Sequence, residues 1–303
     1  MAPVAAKPVP VEICPLCHSQ SFAPRFSDKQ MSVVRCGACG LVMSDPQPDD
    51  DTIERIYTET YFIGSDRDDL DIETGRLKRG TARLQLAEII AYVEDRGHGQ
   101  LRPRVLEVGC GNGDFLVEAR DAGFDIQGID VSESAVAIAN RILGEGTARA
   151  GQLEDLNIAQ DSLDIVVLAD VIEHVRDPAQ LMARVRRILK PGGVVFVATP
   201  SLDSLSARLM GRFWVEYKLE HLFYFDQKTI SRLLVQAGFG SLAVTPGRKV
   251  LSAAYIVAHF ERFPVPFLTL GLRLLNMLLP TGLRKRPFRI TASGINVIAA
   301  KGR

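Results

Sequence analysis

Between residues 104 and 200 the chain switches repeatedly between two patterns. "RVLEVG", "FDIQGID", "LDIVVLAD" and "VVFVATP" are short, nearly unbroken apolar runs. Runs of this length predict strands buried on both faces of a sheet. "GDFLVEARDAG", "SESAVAIANRIL" and "PAQLMARVRRILK" instead space their apolar residues three or four apart and predict helices. The first of these closes on Gly123, and the second opens behind Ser132, a candidate N-cap. Strands alternating with helices of this length predict βαβ units and a parallel sheet. Beyond Thr229, "ISRLLVQAGF" adds a helix, and "SLAVTPG" and "INVIAAK" read as strands. A long apolar stretch from Ala253 to Leu279 separates those two strands.

The first hundred residues follow other rules. "TIERIYTETYF" and "LKRGTARLQLAEIIAYV" have helical spacing, the second with Leu84, Ala87, Ile90 and Ala91 on one side. Ahead of them lie a Pro-rich lead at 1–10 and short strands such as "MSVVRC" and "LVMS" beside two cysteine pairs. "PGG" at 191–193 reads as a turn. The expected organisation is a cysteine module over 1–45, a helical linker or cap over 46–100, and an α/β core over 101–303. The core carries an apolar insertion at about 253–290.

Composition narrows the function classes. With 303 residues, 47% of them hydrophobic, the chain can bury a large core and still carry a small module. Its 36 basic side chains are balanced by 36 acidic ones, which gives no general argument for nucleic acid as partner. "MAPVAAKPVPVEIC" lacks the basic stretch and apolar core of a signal peptide, and no apolar run reaches the roughly 18 residues of a membrane span. The expected location is cytoplasmic.

Four of the five cysteines stand as Cys14-Pro-Leu-Cys17 and Cys36-Gly-Ala-Cys39. Two such pairs at this separation suit a tetrahedral Zn2+ site of ribbon type, with Gly37 and Gly40 fitting tight knuckle turns. Four protein ligands leave no open position, so the expected zinc is structural. The module either grips a macromolecular substrate or packs on the core and helps frame the acceptor pocket.

"LEVGCGNGDF" sets three glycines in five positions directly after a strand. A turn gives up side chains when it needs positive φ or close approach by a guest. Gly109 and Gly111 fit the dinucleotide fingerprint, but its third glycine is replaced by Asp114, with Gly113 one place early. An acid follows at the end of the next strand, Asp130 in "QGIDVS", where it can accept both hydroxyls of a ribose.

This stretch resembles motif I and the following acidic motif of the class I S-adenosylmethionine-dependent methyltransferases. "DSLDIVVLADVIEHVRDP", "ILKPGGVVFVATPS" and "EHLFYFDQKTISRLLVQAGF" are similar to later blocks of that family's small-molecule branch. The resemblance implies a Rossmann-like seven-stranded α/β sheet, mostly parallel with the last strand antiparallel and helices on both faces. It implies S-adenosylmethionine as cofactor. Glu107, Gly109, Gly111 and Gly113 would line its methionine and ribose side, and Asp130 the ribose hydroxyls. Val131, Gln152 and Leu153 would meet the adenine, and Ala169 and Asp170 the methionine portion. Tyr61, with Tyr57, would cover the cofactor.

Methyl transfer from a sulfonium needs proximity above all, and a hydroxyl acceptor also needs a base. His221, then His174, are the candidates, both beyond predicted strand ends. The segment around His221 carries Trp214, Tyr217 and Tyr224 and is expected to close over the pocket. The leading expectation is O-methylation of a small molecule such as a quinone, sugar or secondary metabolite. C- or N-methylation, RNA methylation with the ribbon as grip, and a non-catalytic binding role stay open. Against RNA, residues 11–45 are not strongly basic and have few aromatics. The apolar segment at 264–289, ending in Arg284, Lys285, Arg286 and Arg289, reads first as a lid or homodimer helix. Its second reading is contact with a membrane or a lipid-linked substrate.

Overall fold

The computed structural model describes residues 8–27, 31–59, 68–97, 102–262, 265 and 268–302. In chain order it begins with three short strands, β1 (Phe22–Ser27), β2 (Ser32–Cys36) and β3 (Val42–Ser44), then two helices, α1 (Asp50–Glu59) and α2 (Asp68–Asp95). The alternating half follows: β4 (Arg104–Val108), α3 (Asp114–Asp121), β5 (Asp125–Asp130), α4 (Glu133–Leu143), β6 (Ala148–Ala150), β7 (Leu163–Ala169), α5 (Pro178–Ile188) and β8 (Leu189–Pro200). The remainder is α6 (Leu205–Met210), β9 (Phe223–Tyr224), α7 (Gln227–Gln236), β10 (Phe239–Leu251), α8 (Ala253–Arg262), α9 (Leu268–Leu278) and β11 (Phe288–Lys301).

Seven strands make the main sheet in the order β10-β11-β8-β7-β4-β5-β6. The pairs among β4 to β8 are parallel, whereas β11 runs antiparallel to both of its neighbours. Both faces are covered, as the unbroken apolar strands require. Leu106, Val166, Leu168, Val195 and Val197 point to the face covered by Leu181, Met182 and Val185 of α5 and Leu233 of α7. Val105, Ile165, Val167, Val194 and Phe196 point the other way, against Ile89 of α2, Leu116 of α3 and Ala139 of α4. Ser132 caps α4 as expected, its Oγ accepting from the Ala135 N–H.

Three local readings change. The buried side of α2 is Leu77, Ala82, Leu86 and Ile89, not the side bearing Ala87 and Ala91, which are exposed. Glu88 lies on the sheet side as well, where it accepts from Thr245 and Asn296, so counting apolar residues pointed to the wrong stripe. Pro191-Gly192-Gly193 is no separate turn. The register of β8 on β7 jumps from Leu163–Leu189 to Ile165–Val194, which makes it a bulge within one strand. β10 and β11 also run well past "SLAVTPG" and "INVIAAK", pairing out to Leu251 and Phe288.

A second sheet, in the order β1-β2-β3-β9, joins the cysteine module to the core. Its last strand comes from beyond the main sheet's fourth βα unit: Val42 pairs with Tyr224 and Met43 with Phe223. Cys14, Cys36, Leu41 and Met43 belong to the same hydrophobic cluster as Leu222, Phe223 and Phe225.

Candidate active site

β4 ends at Val108 and α3 starts at Asp114, leaving the glycine turn at the carboxyl end of an interior strand, between β7 and β5. Gly109, Gly111 and Gly113 all have left-handed backbones, with φ of 72°, 50° and 82°. At Gly109 a Cβ would stand 2.5 Å from the Val171 side chain, so this glycine serves both the turn and the packing. Nothing lies within 4 Å of a Cβ at Gly111, so its bare backbone faces open space. That space is a cleft of about 2650 Å³, several times the roughly 300–1,000 Å³ of a site for one drug-sized ligand.

Glu107, Gly109, Gly111, Asp130, Val131, Gln152, Leu153, Ala169 and Asp170 all line this cleft. Gly113 shapes the turn from behind, against Leu143 and Ala139 of α4. Asp130 accepts from the Gly111 N–H at 2.7 Å through one oxygen and from the Ser132 N–H at 2.9 Å through the other. Its carboxylate therefore holds the turn as well as facing the cleft. Glu107 is 5% exposed, and its Oε2 is buried with no hydrogen-bond partner. Burial, with Asp114 and Asp130 nearby, pushes its carboxyl well above the usual range. Val131, 56% exposed, offers the cleft an apolar face. The Gln152 N–H is held by Asp155 at 2.7 Å. Asp170 has a left-handed backbone (φ 55°), a strained conformation of the kind found at binding sites, and accepts from Lys249 Nζ at 3.2 Å. Tyr61 lies outside the described residues. Cys110 is buried beside Gly128, and burial, with Glu107 and Asp130, raises its thiol far from the reactive range.

His174 and His221 also line the cleft, and their rings meet edge to face at 4.7 Å. The Nδ1–H of His174 donates to the Glu220 carbonyl at 3.0 Å, and that of His221 to the Glu216 carbonyl at 2.8 Å. A carbonyl only accepts, so Nε2 is the unprotonated nitrogen of each neutral ring. Burial keeps both neutral, pulling His174 to about 4 and His221 well below its ordinary value. Beneath them is Glu173, 1% exposed, which accepts from the Thr199 hydroxyl at 3.0 Å. Its other oxygen, without a hydrogen-bond partner, stands 4.0 Å from His174 Nε2. Burial, then Asp170, raises Glu173 to about 8. One ligand atom from each of the three residues falls within 4.8 Å of the others, compact enough to hold one metal ion.

Sequence reasoning passed over Glu173, although it stands next to His174 in "VIEHV". It also passed over Glu216, Lys218 and Lys249, which no motif marks. Burial alone would raise the Glu216 carboxyl, but Lys218, His221, Lys249 and the Ser293 hydroxyl hold it well below its usual range. The aromatic cover behaves differently from expectation. Tyr217 lines the cleft, but Trp214 and Tyr224 are 2% exposed and pack with Val33 and Val42 of the cysteine module. Bulky rings are better buried at that junction than spread over an open cleft.

Comparison with known proteins follows this geometry. A family described as a methyltransferase domain matches residues 78–244, more than half of the chain and all of the elements around the glycine turn. The chain belongs to that family. Among its relatives is the ubiquinone biosynthesis O-methyltransferase of Mesorhizobium japonicum, 32% identical over 118 residues, 37% of this chain and 47% of the relative. The Aromatoleum aromaticum protein of the same name is 34% identical over 137 residues, 42% and 56% of the two chains. This chain thus spans about half the length of the curated relatives it matches. A SAM-dependent methyltransferase from Archaeoglobus fulgidus shares the fold with a TM-score of 0.51 at 19% identity, covering 78% of this chain and all of that one. The seven-stranded sheet is that of the class I S-adenosylmethionine-dependent methyltransferases. The cofactor of this family carries a sulfonium and an ammonium; the unpartnered Glu107 oxygen offers such a guest an acceptor, and the open space at Gly111 leaves room for it.

In the N-terminal module the four cysteines come together. Cys14 Sγ is 3.6 Å from Cys39 Sγ, Cys17 Sγ is 3.5 Å from Cys36 Sγ, and all four lie within 4.8 Å of one another. The two knuckles match: the His18 N–H donates to the Cys14 carbonyl and the Gly40 N–H to the Cys36 carbonyl. Both donors have left-handed backbones, with φ of 58° and 85°.

Proposed function

We propose that this methyltransferase transfers a methyl group from S-adenosylmethionine to a hydroxyl of a small-molecule acceptor. The observation that carries the reading is the cleft itself. Its lining brings together a glycine turn with an open face, acids at the rim, and a neutral histidine pair. The relatives' names, which specify O-methylation, support the choice of a hydroxyl.

When bound, S-adenosylmethionine supplies an electrophilic methyl. Glu107, Gly109, Gly111 and Asp130 would hold its methionine and ribose, Val131, Gln152 and Leu153 its adenine, with Ala169 and Asp170 beside the methionine chain. The rest is the work of this chain's own side chains. His221 Nε2, with His174 against it, accepts the hydroxyl proton as the acceptor attacks, and the backbone carbonyls on both Nδ1 atoms fix the rings for that task. The cleft walls hold cofactor and acceptor side by side, which supplies proximity. In the cysteine cluster we place a structural zinc. Tetrahedral ligation at about 2.3 Å per Zn–S bond calls for sulfurs roughly 3.8 Å apart, close to the spacings present.

The test is methyl-labelled S-adenosylmethionine with the purified chain and a cell extract, separated afterwards into small molecules, RNA and protein. Label is expected in the small-molecule fraction; label in RNA would overturn the assignment of substrate class. His221→Ala and His174→Ala are each expected to lower kcat by about a hundredfold while leaving affinity for S-adenosylhomocysteine unchanged. Equal losses of affinity would remove the histidines from the chemistry.

A further inference from the structure

α9 is covered on one side only, and that side carries its polar Thr269 and Asn276. Thr269, Leu272 and Asn276 are half-buried on the side toward the rest of the insertion. On the other side Leu270, Leu274, Met277 and Leu278 are 59%, 54%, 71% and 82% exposed. Their spacing of four, three and one residues puts them in one stripe along the helix. Scattered exposed leucines need no explanation, but a continuous stripe marks a surface that something covers.

The charges around the stripe say what kind of surface that is. No acidic residue follows Glu261 anywhere in the chain, and Glu261 is itself paired with Arg273 at 2.6 Å. Arg284 folds back on the end of α9, donating to the Met277 and Leu279 carbonyls. Lys285, Arg286 and Arg289 are exposed just beyond it. A second copy of this chain would bring a second set of these cations against the first, which costs free energy. A bilayer with anionic headgroups meets both features at once.

We infer that α9 and the basic turn after it form a docking surface for an anionic lipid bilayer. The leucine stripe sits at the boundary between headgroups and acyl chains, and Lys285, Arg286 and Arg289 meet the lipid phosphates. The helix lies on the membrane and does not cross it: at 11 residues it is about 16 Å long, and among the described residues no helix is long and apolar enough to span. Docking also brings the cleft close to the bilayer, because α8, which packs against α9, lends Tyr255, Ile256 and His259 to the cleft wall.

The experiment is sedimentation of the full chain with phosphatidylcholine vesicles, with and without phosphatidylglycerol, at low and high salt. Binding is expected to be about tenfold stronger on the anionic vesicles and to weaken with salt. The double variant Leu274→Asp/Leu278→Asp and the triple variant Lys285→Glu/Arg286→Glu/Arg289→Glu are each expected to lose about tenfold or more in binding. Both should keep wild-type affinity for S-adenosylhomocysteine, which shows that they fold. Failure of the wild type to sediment with anionic vesicles, or undiminished binding by either variant, overturns the inference. A dimer seen by light scattering that the leucine variant breaks, without vesicle binding, assigns the stripe to a second copy and overturns it too. Vesicle binding needs no methyl transfer, so its failure and a failure of the enzymatic reading are separate results.

Discussion

At the scale of single residues, the glycines of the turn divide the work among themselves. Gly109 has no room for a side chain and a backbone that disfavours one; Gly111 has the backbone but ample space. Gly109→Ala should therefore cost about 1–3 kcal/mol from the left-handed backbone, plus whatever displacement of Val171 is needed. Because the turn faces the cleft, affinity for S-adenosylhomocysteine should fall by about tenfold or more, measured by calorimetry. Unchanged affinity would mean that the turn is only a packing device. The string "EVGCGNG" with Asp130 downstream was legible because backbone demands of this kind select one residue type. Glu216 and Lys249 were not legible, because a buried ion network is set by which segments meet and not by local sequence.

Among elements, the decisive one is the shortest. β9 is two residues long, yet it completes the sheet of the cysteine module and ties it to the core. The cysteine module is thus built onto the core through this strand. Removing the proposed zinc with a strong chelator, or Cys36→Ser, should accordingly destabilise the whole chain by a few kcal/mol. That corresponds to a Tm lower by roughly 5–10 °C, in one transition. A separate low-temperature transition with an unchanged main one would show that the module melts alone. Alternation of runs and periodic stretches predicted the parallel strands and their helices, since burial on two faces leaves an unmistakable apolar run. α2 misled because a helix wedged against a sheet can bury a carboxylate that finds partners there, as Glu88 does.

Across the whole molecule, the protonation of the cleft floor couples to stability. Glu173 is raised from 4.5 to about 8, so between those values the folded protein holds a proton that the unfolded chain has released. Its contribution is fully present below about pH 4.5 and is lost as pH rises through 8. The two histidines act in the opposite sense. Both are lowered from 6.5, so the unfolded chain takes up their protons first and stability falls as pH drops below that value. Two histidines outweigh one carboxyl on the acid side, which places the optimum for this trio near about pH 6.5. Glu173→Gln cannot titrate, so its stability relative to wild type should grow steadily from pH 5 to pH 8. Urea midpoints in buffer free of added divalent cations measure it, and a difference independent of pH would show that Glu173 is ionised in the folded protein.

The sequence by itself determined the glycine turn, the acid at the end of the following strand, the cysteine pairs and the alternating core. Each depends on short-range demands: a positive φ, a metal-ligand spacing, or burial on one or both sides of a strand. Only the tertiary structure decided that Glu173, His174 and His221 share one floor, that Trp214 and Tyr224 belong to the module junction, and that one face of α9 stays bare. Those outcomes follow from which surfaces meet across long stretches of chain. A pattern of apolar and polar residues states that a surface needs covering; what covers it is settled only when the chain is folded.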